Sequence, residues 1–316
     1  MKDLLTRVAC ILPICLSCLQ AGPVNLADIA RAPLWFAHAD MAQLSAEDID
    51  PGQGSVAHGE IIRHMAKLQK WANQSLGIET SDIHGITIFG TSASGDDVCF
   101  VLKGSFRDAR MGEVLDKFPK DNRPIEKQYH LHRGLKWLGV DWCFTRLSDG
   151  EIVAANGLDA LKKHLLDRGK KPVDWGFDNS TKREIAKASA LVGFNMEAIH
   201  KELKLESVLS SNIRTVSLLA NHTHEGKVST QLLVQAKDAD AMELIAPGIN
   251  LLIELVRAYE EAGAKQTQGV ARQTTNWNSA KIDITESRLS IRMQGSSDQM
   301  IKSLQSLEKL LPKQGR

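Results

Sequence analysis

The sequence predicts an α+β protein built of two tandem related units with antiparallel sheets. The main observation is that the window Ser81–Leu115 matches Ser211–Ile245 without a gap, with Ile83 and Ile213 among the identical pairs. Each window holds an alternating strand, a polar turn with a glycine, a second strand, an aspartate and the start of a helix. Self-similarity at a fixed spacing indicates that one supersecondary unit occurs twice.

The first strand of each window has the alternation expected of a half-buried strand. Apolar residues flank Thr87 in the first window and Ser217 in the second, which is a period of two. Asp108 and Asp238 follow the second strands. A carboxylate at this place accepts the free N–H groups of a first helical turn, so both aspartates are predicted N-caps.

Periodicity and Gly or Pro boundaries place the other elements of each unit. Because Pro247 removes a backbone donor, we expect a kink or break in the long helix of the second unit. The first unit has predicted strands at Leu34–Met41, Lys127–His132, Leu135–Val140, Trp142–Leu147 and Glu151–Ala155, and helices at Gln53–Leu76, Asp108–Phe118 and Leu158–Arg168. The second has predicted strands at Ala190–Met196, Thr274–Ile284 and Arg288–Gln294, and helices at Glu197–Leu209, Asp238–Ala262 and Ser297–Leu311.

The order of elements in each unit is β-α-β-β-α-β, followed by extra strand and a closing helix. This order matches the ferredoxin-like arrangement, in which the first strand lies between the third and fourth and the helices cover one face. The units are predicted at residues 22–169 and 190–316, and residues 170–189 form a linker with a connecting helix at Asn179–Ala188.

Residues 1–21 have the features of a secretory signal peptide. Lys2 and Arg7 supply the positive region, Val8–Leu19 the apolar region, and Ala21 a small residue at the cleavage site. A cleaved signal predicts an exported protein, periplasmic or extracellular. A retained anchor and lipidation at Cys18 are the alternatives.

Composition and charge exclude some partners. The chain has 43% hydrophobic and 24% charged residues and a formal net charge of +1, as in an ordinary soluble globular protein. It has no basic excess to hold a phosphate backbone, so no nucleic-acid partner is expected. An unknown protein or small molecule is the expected partner, and a membrane is one only if the N-terminal segment is retained.

A family resemblance rests on three segments of the chain. Two close the units, DGEIVAANGLDALKKHLL (149–166) and SRLSIRMQGSSDQMIKSL (287–304), and one enters the first hairpin, LGIETSDIHGITIFG (76–90). Together they resemble uncharacterised exported bacterial proteins built of repeated ferredoxin-like units. The resemblance implies an exported α+β protein of unknown activity, and it transfers no catalytic residue.

Two cysteines remain after removal of the signal peptide, Cys99 and Cys143. An even pair in an exported protein is a possible disulfide. The alternative is two buried free thiols on strands. Neither cysteine belongs to a CxxC motif, so the pattern does not favour redox catalysis.

Three histidines are the candidate metal ligands. His130 and His132 share one face of a predicted strand, and a ferredoxin-like order puts His38 on the neighbouring strand. Three imidazoles that converge in this way can bind a catalytic zinc ion. The alternative is a polar strand face without a metal.

The sequence contains no GxSxG, HExxH, P-loop or GxGxxG motif. The leading hypothesis is therefore an exported, non-enzymatic binding or structural scaffold with no cofactor. The alternative is an exported metal-dependent hydrolase or metalloprotein that uses His38, His130 and His132.

Overall fold

Twelve strands and four helices make up the described part of the chain. The structure is a computed structural model, and it describes residues 29, 33–40, 73–74, 77–79, 82–92, 97–106, 117–118, 120–121, 131–137, 140–148, 150–168, 175, 177–186, 188–204, 211–222, 228–265 and 280–295. The strands are β1 (Trp35–Asp40), β2 (Ile83–Gly90), β3 (Val98–Gly104), β4 (Lys120–Asp121), β5 (Leu131–Trp137), β6 (Val140–Ser148), β7 (Glu151–Ala155), β8 (Ala190–Asn195), β9 (Ile213–His222), β10 (Val228–Ala236), β11 (Lys281–Thr285) and β12 (Arg288–Gly295). The helices are α1 (Leu158–Asp167), α2 (Asn179–Ile185), α3 (Met196–Leu203) and α4 (Ala239–Lys265).

All twelve strands belong to one antiparallel sheet, in the order β11-β12-β10-β9-β8-β1-β2-β3-β7-β6-β5-β4. β1 and β8 pair at its centre. Outward from β1 the strands are β2, β3, β7 and β6, and outward from β8 they are β9, β10, β12 and β11. The two halves therefore run through corresponding strands in the same order, and the first half adds β5 and β4 at its edge.

The expected ferredoxin-like order is wrong for both halves. β1 pairs with β2 on one side and β8 on the other, so it does not lie between the third and fourth strands of its unit. The element order alone did not determine the pairing, because either edge of the β2–β3 hairpin can accept β1. Helices also cover both faces of the sheet instead of one.

The aromatic residues of β1 lie on glycines of its two neighbours. Trp35 pairs with Gly90 of β2, and Phe36 pairs with Gly193 of β8. A Cβ added to Gly193 would lie 2.2 Å from the Phe36 ring, and one added to Gly90 would lie 2.8 Å from the Trp35 indole. Since both rings are buried, the absence of a side chain at each glycine lets the ring close onto the neighbouring strand.

Each face of the sheet carries its own hydrophobic core. On the first face, α3 and α4 cover the strands through Ile199, Met242 and Ile245. On the second face, α1 covers the first half and α2 the second, and the core there includes Leu161 and Ile185.

The predicted helices agree with the structure at their beginnings better than at their ends. Asp238 caps α4 as expected, since its Oδ1 accepts a 2.7 Å hydrogen bond from the Ala241 N–H. α3 ends at Leu203, earlier than predicted, because Lys204 takes the left-handed conformation with φ 48°. A kink or a break was expected at Pro247; α4 is not broken there and continues through it. Pro247 is exposed, so the carbonyl that loses its partner there faces water.

The predicted strands of the first unit need one revision. Glu151–Ala155 is confirmed as β7. The strands predicted on either side of Gly134 are one strand, β5, which passes through Gly134 at φ +86° with a register shift between His132 and Leu135.

Several predicted elements lie wholly or mostly outside the described residues. They are the signal peptide at 1–21, the helices predicted at 53–76, 108–118 and 297–311, and the strands predicted at 127–132 and 274–284.

Candidate functional site

The histidines expected to bind one metal ion lie far apart. His38 is buried on β1, where its Nδ1 is 2.8 Å from Thr87 Oγ1. His132 is buried on β5, where its ring stacks on Phe144 with centroids 5.1 Å apart. Four strands separate β1 from β5, which is about 24 Å at the usual strand spacing. One zinc ion with nitrogen ligands at about 2.1 Å cannot bind both.

His38 and His132, the two candidate ligands that the structure describes, also point to opposite faces of the sheet. His38 belongs to a row of paired residues that continues through Thr87 and Val101 to Thr145. His132 pairs with Phe144, the neighbour of Thr145 in β6. His130 lies outside the described residues. Within the described ranges no three His, Cys, Asp or Glu side chains are grouped to hold a metal.

The two cysteines are not joined by a disulfide; Cys99 is buried, as the alternative expected, and Cys143 is only half-buried. Cys99 of β3 and Cys143 of β6 both pair with Ala155 of β7, from opposite sides. Two strand spacings separate them by about 10 Å, beyond the reach of a disulfide. Burial raises the pKa of Cys99 to about 12, with a further contribution from the charge of Asp97. This thiol is therefore not a nucleophile at neutral pH.

α1 covers a largely apolar surface on the second face. Its buried Leu161 and Leu165 pack in the same core as Phe89 and Val101 of the sheet. The polar groups of this contact are His164 and an ion pair of Arg168, at the end of α1, with Glu151 of β7 at 2.5 Å. His164 is 4% exposed and lies 5.0 Å from the Phe89 ring. Neither of its ring nitrogens has a hydrogen-bond partner among the residues that the structure describes. Burial, with the positive charge of Arg168, lowers the pKa of His164 to about 4.

α2 covers a polar surface on the same face, over β10 and β12. Gln231 Nε2 donates to Ser290 Oγ at 2.9 Å and to Glu184 Oε2 at 3.1 Å. Arg292 Nη2 donates to the other oxygen of Glu184 at 2.7 Å. Gln231 and Ser290 are buried, at 8% and 0% exposure. We call these four residues, with Gln235 and Arg288, the polar seam.

The N-terminus of α2 is attached to the same seam. Asp178 caps the helix, accepting a 2.6 Å hydrogen bond from the Thr181 N–H. Arg288 lies 3.5 Å from the Asp178 carboxylate and donates to Thr181 Oγ1 at 3.3 Å. Desolvation alone would raise the pKa of Asp178, but the hydrogen bonds of Thr181 and the charge of Arg288 lower it. Asp178 is therefore a carboxylate at neutral pH, as both the cap and the ion pair require.

The seam also contains buried polar atoms without a partner. Gln235 Nε2 donates to the Ser287 carbonyl at 3.0 Å and to its hydroxyl at 2.9 Å. Gln235 Oε1, Arg288 Nε and the nearby Ser217 Oγ are buried and have no hydrogen-bond partner within the described ranges. Buried polar atoms are nearly always bonded in folded proteins, and the same exception occurs under α1, at Glu151 Oε1, Arg168 Nη1 and both ring nitrogens of His164.

No motif in the sequence marks this site. Gln231 and Gln235 share one face of β10 with Leu233, opposite Leu232 and Val234, and two glutamines on a strand face are typical of a face in water. They are buried because α2, which comes from the predicted linker, lies over them. The linker sequence gives no sign of where its helix packs.

Similar solved structures were found, and they are crystal forms I, III and IV of TP0453, a Treponema protein. Form I has 10% identity and a TM-score of 0.44, and the match covers 91% of this chain and 99% of that one. Form IV has 10% identity and a TM-score of 0.47, covering 90% and 97%. Likeness at these scores supports no inference about function.

The other comparisons give no family. No family model matches this chain, and no curated protein matches it. The chain is α+β, with one large antiparallel sheet. None of its described helices is long and apolar enough to cross a bilayer.

Proposed function

We propose that this protein is an exported, non-enzymatic binding scaffold, made of two related units that share one sheet, and that the second half binds the ligand at the polar seam. The observation that carries the proposal is the difference between the two covers on one face. α1 lies mainly on apolar side chains, with His164 and the Arg168–Glu151 ion pair as its polar contacts, whereas α2 lies on buried glutamine and serine and on the partly buried Arg288.

The seam contributes little stability for the number of polar groups that it buries. A hydrogen bond within a protein contributes about 1 kcal/mol net, because folding exchanges it for bonds to water. The ion pair of Glu184 with Arg292, whose side chain is 52% exposed, contributes at most about 1 kcal/mol after solvent screening. Apolar side chains of the same size would stabilise this contact at least as well. A polar surface under a helix is therefore better explained by recognition than by folding.

The two related units provide support for the scaffold part of the proposal. Corresponding strands follow in one order on either side of β1 and β8. Since both halves have the same strand framework, the polar surface under α2 is explained by a function of the second half. The Gln231–Ser290 pair lies on β10 and β12, and so belongs to that framework.

A double-mutant cycle on Gln231 and Ser290 tests the proposal. Gln231→Met keeps the side-chain volume, and Ser290→Ala removes only a hydroxyl. Each single variant leaves a buried partner without its bond and should lose about 1–3 kcal/mol in urea unfolding. The double variant should recover most of the loss, because Gln231 and Ser290 are then both apolar and only Glu184, whose other oxygen bonds Arg292, loses a bond. If the double variant loses the sum of the two singles, the seam is structural and the proposal fails.

A zinc titration separates this proposal from the metalloprotein alternative. We expect no stoichiometric zinc binding by the mature protein, because His38 and His132 lie on opposite faces. One bound zinc ion per chain, lost in both His38→Ala and His132→Ala, would restore the alternative. Export is tested by mass spectrometry of the mature chain, which should begin near Gly22.

A further inference from the structure

We infer that the polar seam binds an acidic segment of a partner protein, and that α2 occupies the seam as an internal substitute for that segment. The inference rests on the proposed function and names the chemistry of its ligand. It is drawn from the direction of the polar contacts between α2 and the sheet, which is opposite to the direction under α1.

At the C-terminal end of α2 the strands donate and the helix accepts. Gln231 Nε2 donates to Glu184 Oε2 at 3.1 Å, and Arg292 Nη2 donates to Glu184 Oε1 at 2.7 Å. Gln231 and Arg292 are directly paired on β10 and β12. One carboxylate therefore fills a site formed by two donors that the sheet register places side by side.

The N-terminal end of α2 has the same direction. Arg288 lies 3.5 Å from the Asp178 carboxylate and donates to Thr181 Oγ1 at 3.3 Å. Under α1 the strand residue Glu151 is the acid, and Arg168 at the end of the helix is the cation. The direction under α2 is therefore not a general property of helices on this face.

The surface beneath α2 is positively charged apart from the carboxylates that α2 supplies. β10 and β12 contain no acidic residue, and β12 carries Arg288 and Arg292. In the neighbouring β11, Lys281 pairs with Arg292 and Asp283 with Ser290, so they share this face and their charges cancel. The two arginines thus leave this surface cationic, and a ligand that replaces α2 must be anionic.

The spacing of the two arginines favours a peptide over a small anion. Arg288 and Arg292 lie four residues apart on one strand, which is about 13 Å. A single phosphate or carboxylate group reaches only one of them at hydrogen-bond distance. α2 reaches both, because Asp178 and Glu184 are six positions apart (184 − 178), about 9 Å along a helix axis. A partner segment with two carboxylates at this spacing has the same reach.

The contacts of α2 are of a kind that another acidic segment can replace. The side chain of Asp178 is 49% exposed and that of Arg292 is 52% exposed, so water already reaches both ion pairs. Ile185 is the one apolar side chain that this short helix buries. Exchange of one pair of carboxylates for another keeps both arginines paired, and the main contact that it gives up is that of Ile185.

Peptide binding to the mature chain tests the inference. The probe is an alanine-based helical peptide with an aspartate and a glutamate six positions apart, and the control peptide has asparagine and glutamine there. The receptor is the double variant Asp178→Asn, Glu184→Gln, in which α2 no longer supplies the two carboxylates. Fluorescence anisotropy should show that the acidic peptide binds about tenfold tighter than the control or more, because charge-assisted hydrogen bonds are the stronger ones. Adding Arg292→Gln to the receptor should remove most of this difference.

Three results would overturn the inference. They are equal affinities for the two peptides, no binding of the acidic peptide at millimolar concentration, and binding that is unchanged by Arg292→Gln. Inorganic phosphate is the competitor that separates a small-anion site from a peptide site. It should displace the acidic peptide no better than sodium chloride at equal ionic strength, and stronger displacement would also overturn the inference.

The unaltered chain gives a second reading that does not depend on the folding of the double variant. The acidic peptide should displace α2 and so speed hydrogen exchange at the Lys182 and Ala186 amides, whereas the neutral peptide should not. Unchanged exchange with the acidic peptide bound would place it elsewhere and contradict the inference. The Gln231–Ser290 cycle is measured without peptide, so recovery in that cycle together with no peptide binding would reject this inference and leave the proposed function standing.

Discussion

α1 and α2 lie on the same face of one sheet, yet different forces hold them there. α1 buries Leu161 and Leu165, and burial of each such side chain stabilises by about 1.5–3 kcal/mol. α2 buries only Thr181 and Ile185 and makes its other contacts through the polar seam. A short helix held mainly by polar contacts opens at a lower free-energy cost than one held by apolar packing. One sheet therefore carries two helices of different local stability: α1, which opens at a high free-energy cost, and α2, which we expect to open at a lower one.

The largest expected effect comes from breaking the framework that both covers share. Gly193→Val puts a branched side chain where a single Cβ already lies 2.2 Å from the Phe36 ring. That ring is fully buried and packs against Trp175 at 4.8 Å, so it has little room to move. We expect a loss of about 3 kcal/mol or more in urea unfolding, the upper end of overpacking costs.

Gly157→Ser is the matched control for this variant. No atom lies within 4 Å of a Cβ at Gly157, and its φ of −168° is extended backbone. Serine also suits this N-cap position of α1, so stability should be kept or slightly raised. Equal losses for both variants would mean that the contact between Phe36 and Gly193 does not hold the halves together.

The next largest effect is the pH dependence of stability that is expected from His164 under α1. The pKa of His164 is about 4 in the folded protein, against an ordinary value of 6.5. The unfolded chain therefore binds the extra proton first, and stability is full above pH 6.5 and is lost as pH falls towards 4. The loss should reach about 3 kcal/mol. Urea unfolding between pH 7.5 and 4 measures it.

His164→Leu isolates this contribution from the carboxylates that titrate in the same range. The variant should be less sensitive to pH than the wild type between pH 6.5 and 4, with the difference growing as pH falls. Parallel curves for the two proteins would show that His164 is not buried as a neutral ring under α1.

A smaller effect is expected at the start of α2. Asp178→Ala removes the cap bond to Thr181 and the charge beside Arg288, and caps of this kind are worth about 1 kcal/mol. Asp159→Ala is the control in the first turn of α1, where the carboxylate does not cap the helix, and should cost only a few tenths of a kcal/mol. Equal melting temperatures for the two variants would show that the cap bond and charge of Asp178 do not stabilise α2.

Local patterns predicted most of the strands, because alternation and turn residues act within a few positions. β7 was predicted with its observed bounds, and Asp238 was identified as an N-cap because its bond reaches only to Ala241. The pairing of β1 with β8 was not predicted. It depends on Phe36 meeting Gly193, which is 157 residues away (193 − 36), and nothing in either local sequence marks the other as its partner.

The candidate site was missed for the same reason. Gln231 and Gln235 have the pattern of exposed strand residues, and only the position of α2 buries them. The histidine hypothesis was wrong in its geometry because it assumed that the strands of His38 and His132 are neighbours. In each case the deciding information was which strand or helix lies beside which, and this does not follow from spacing along the chain.

Hydrogen exchange of matched amides in α1 and α2 tests the central claim most directly. Leu161 N–H and Arg168 N–H bond to Gly157 and His164 at the two ends of α1, and Lys182 N–H and Ala186 N–H bond to Asp178 and Lys182 at the two ends of α2. The bonds are of nearly equal length, 2.9–3.1 Å, so the covers differ mainly in what lies beneath them. We predict that Lys182 and Ala186 exchange at least tenfold faster than Leu161 and Arg168 after correction for intrinsic rates, which corresponds to about 1.4 kcal/mol of opening free energy. Equal protection of the two pairs would contradict the account, because α2 would then be as firmly held as α1.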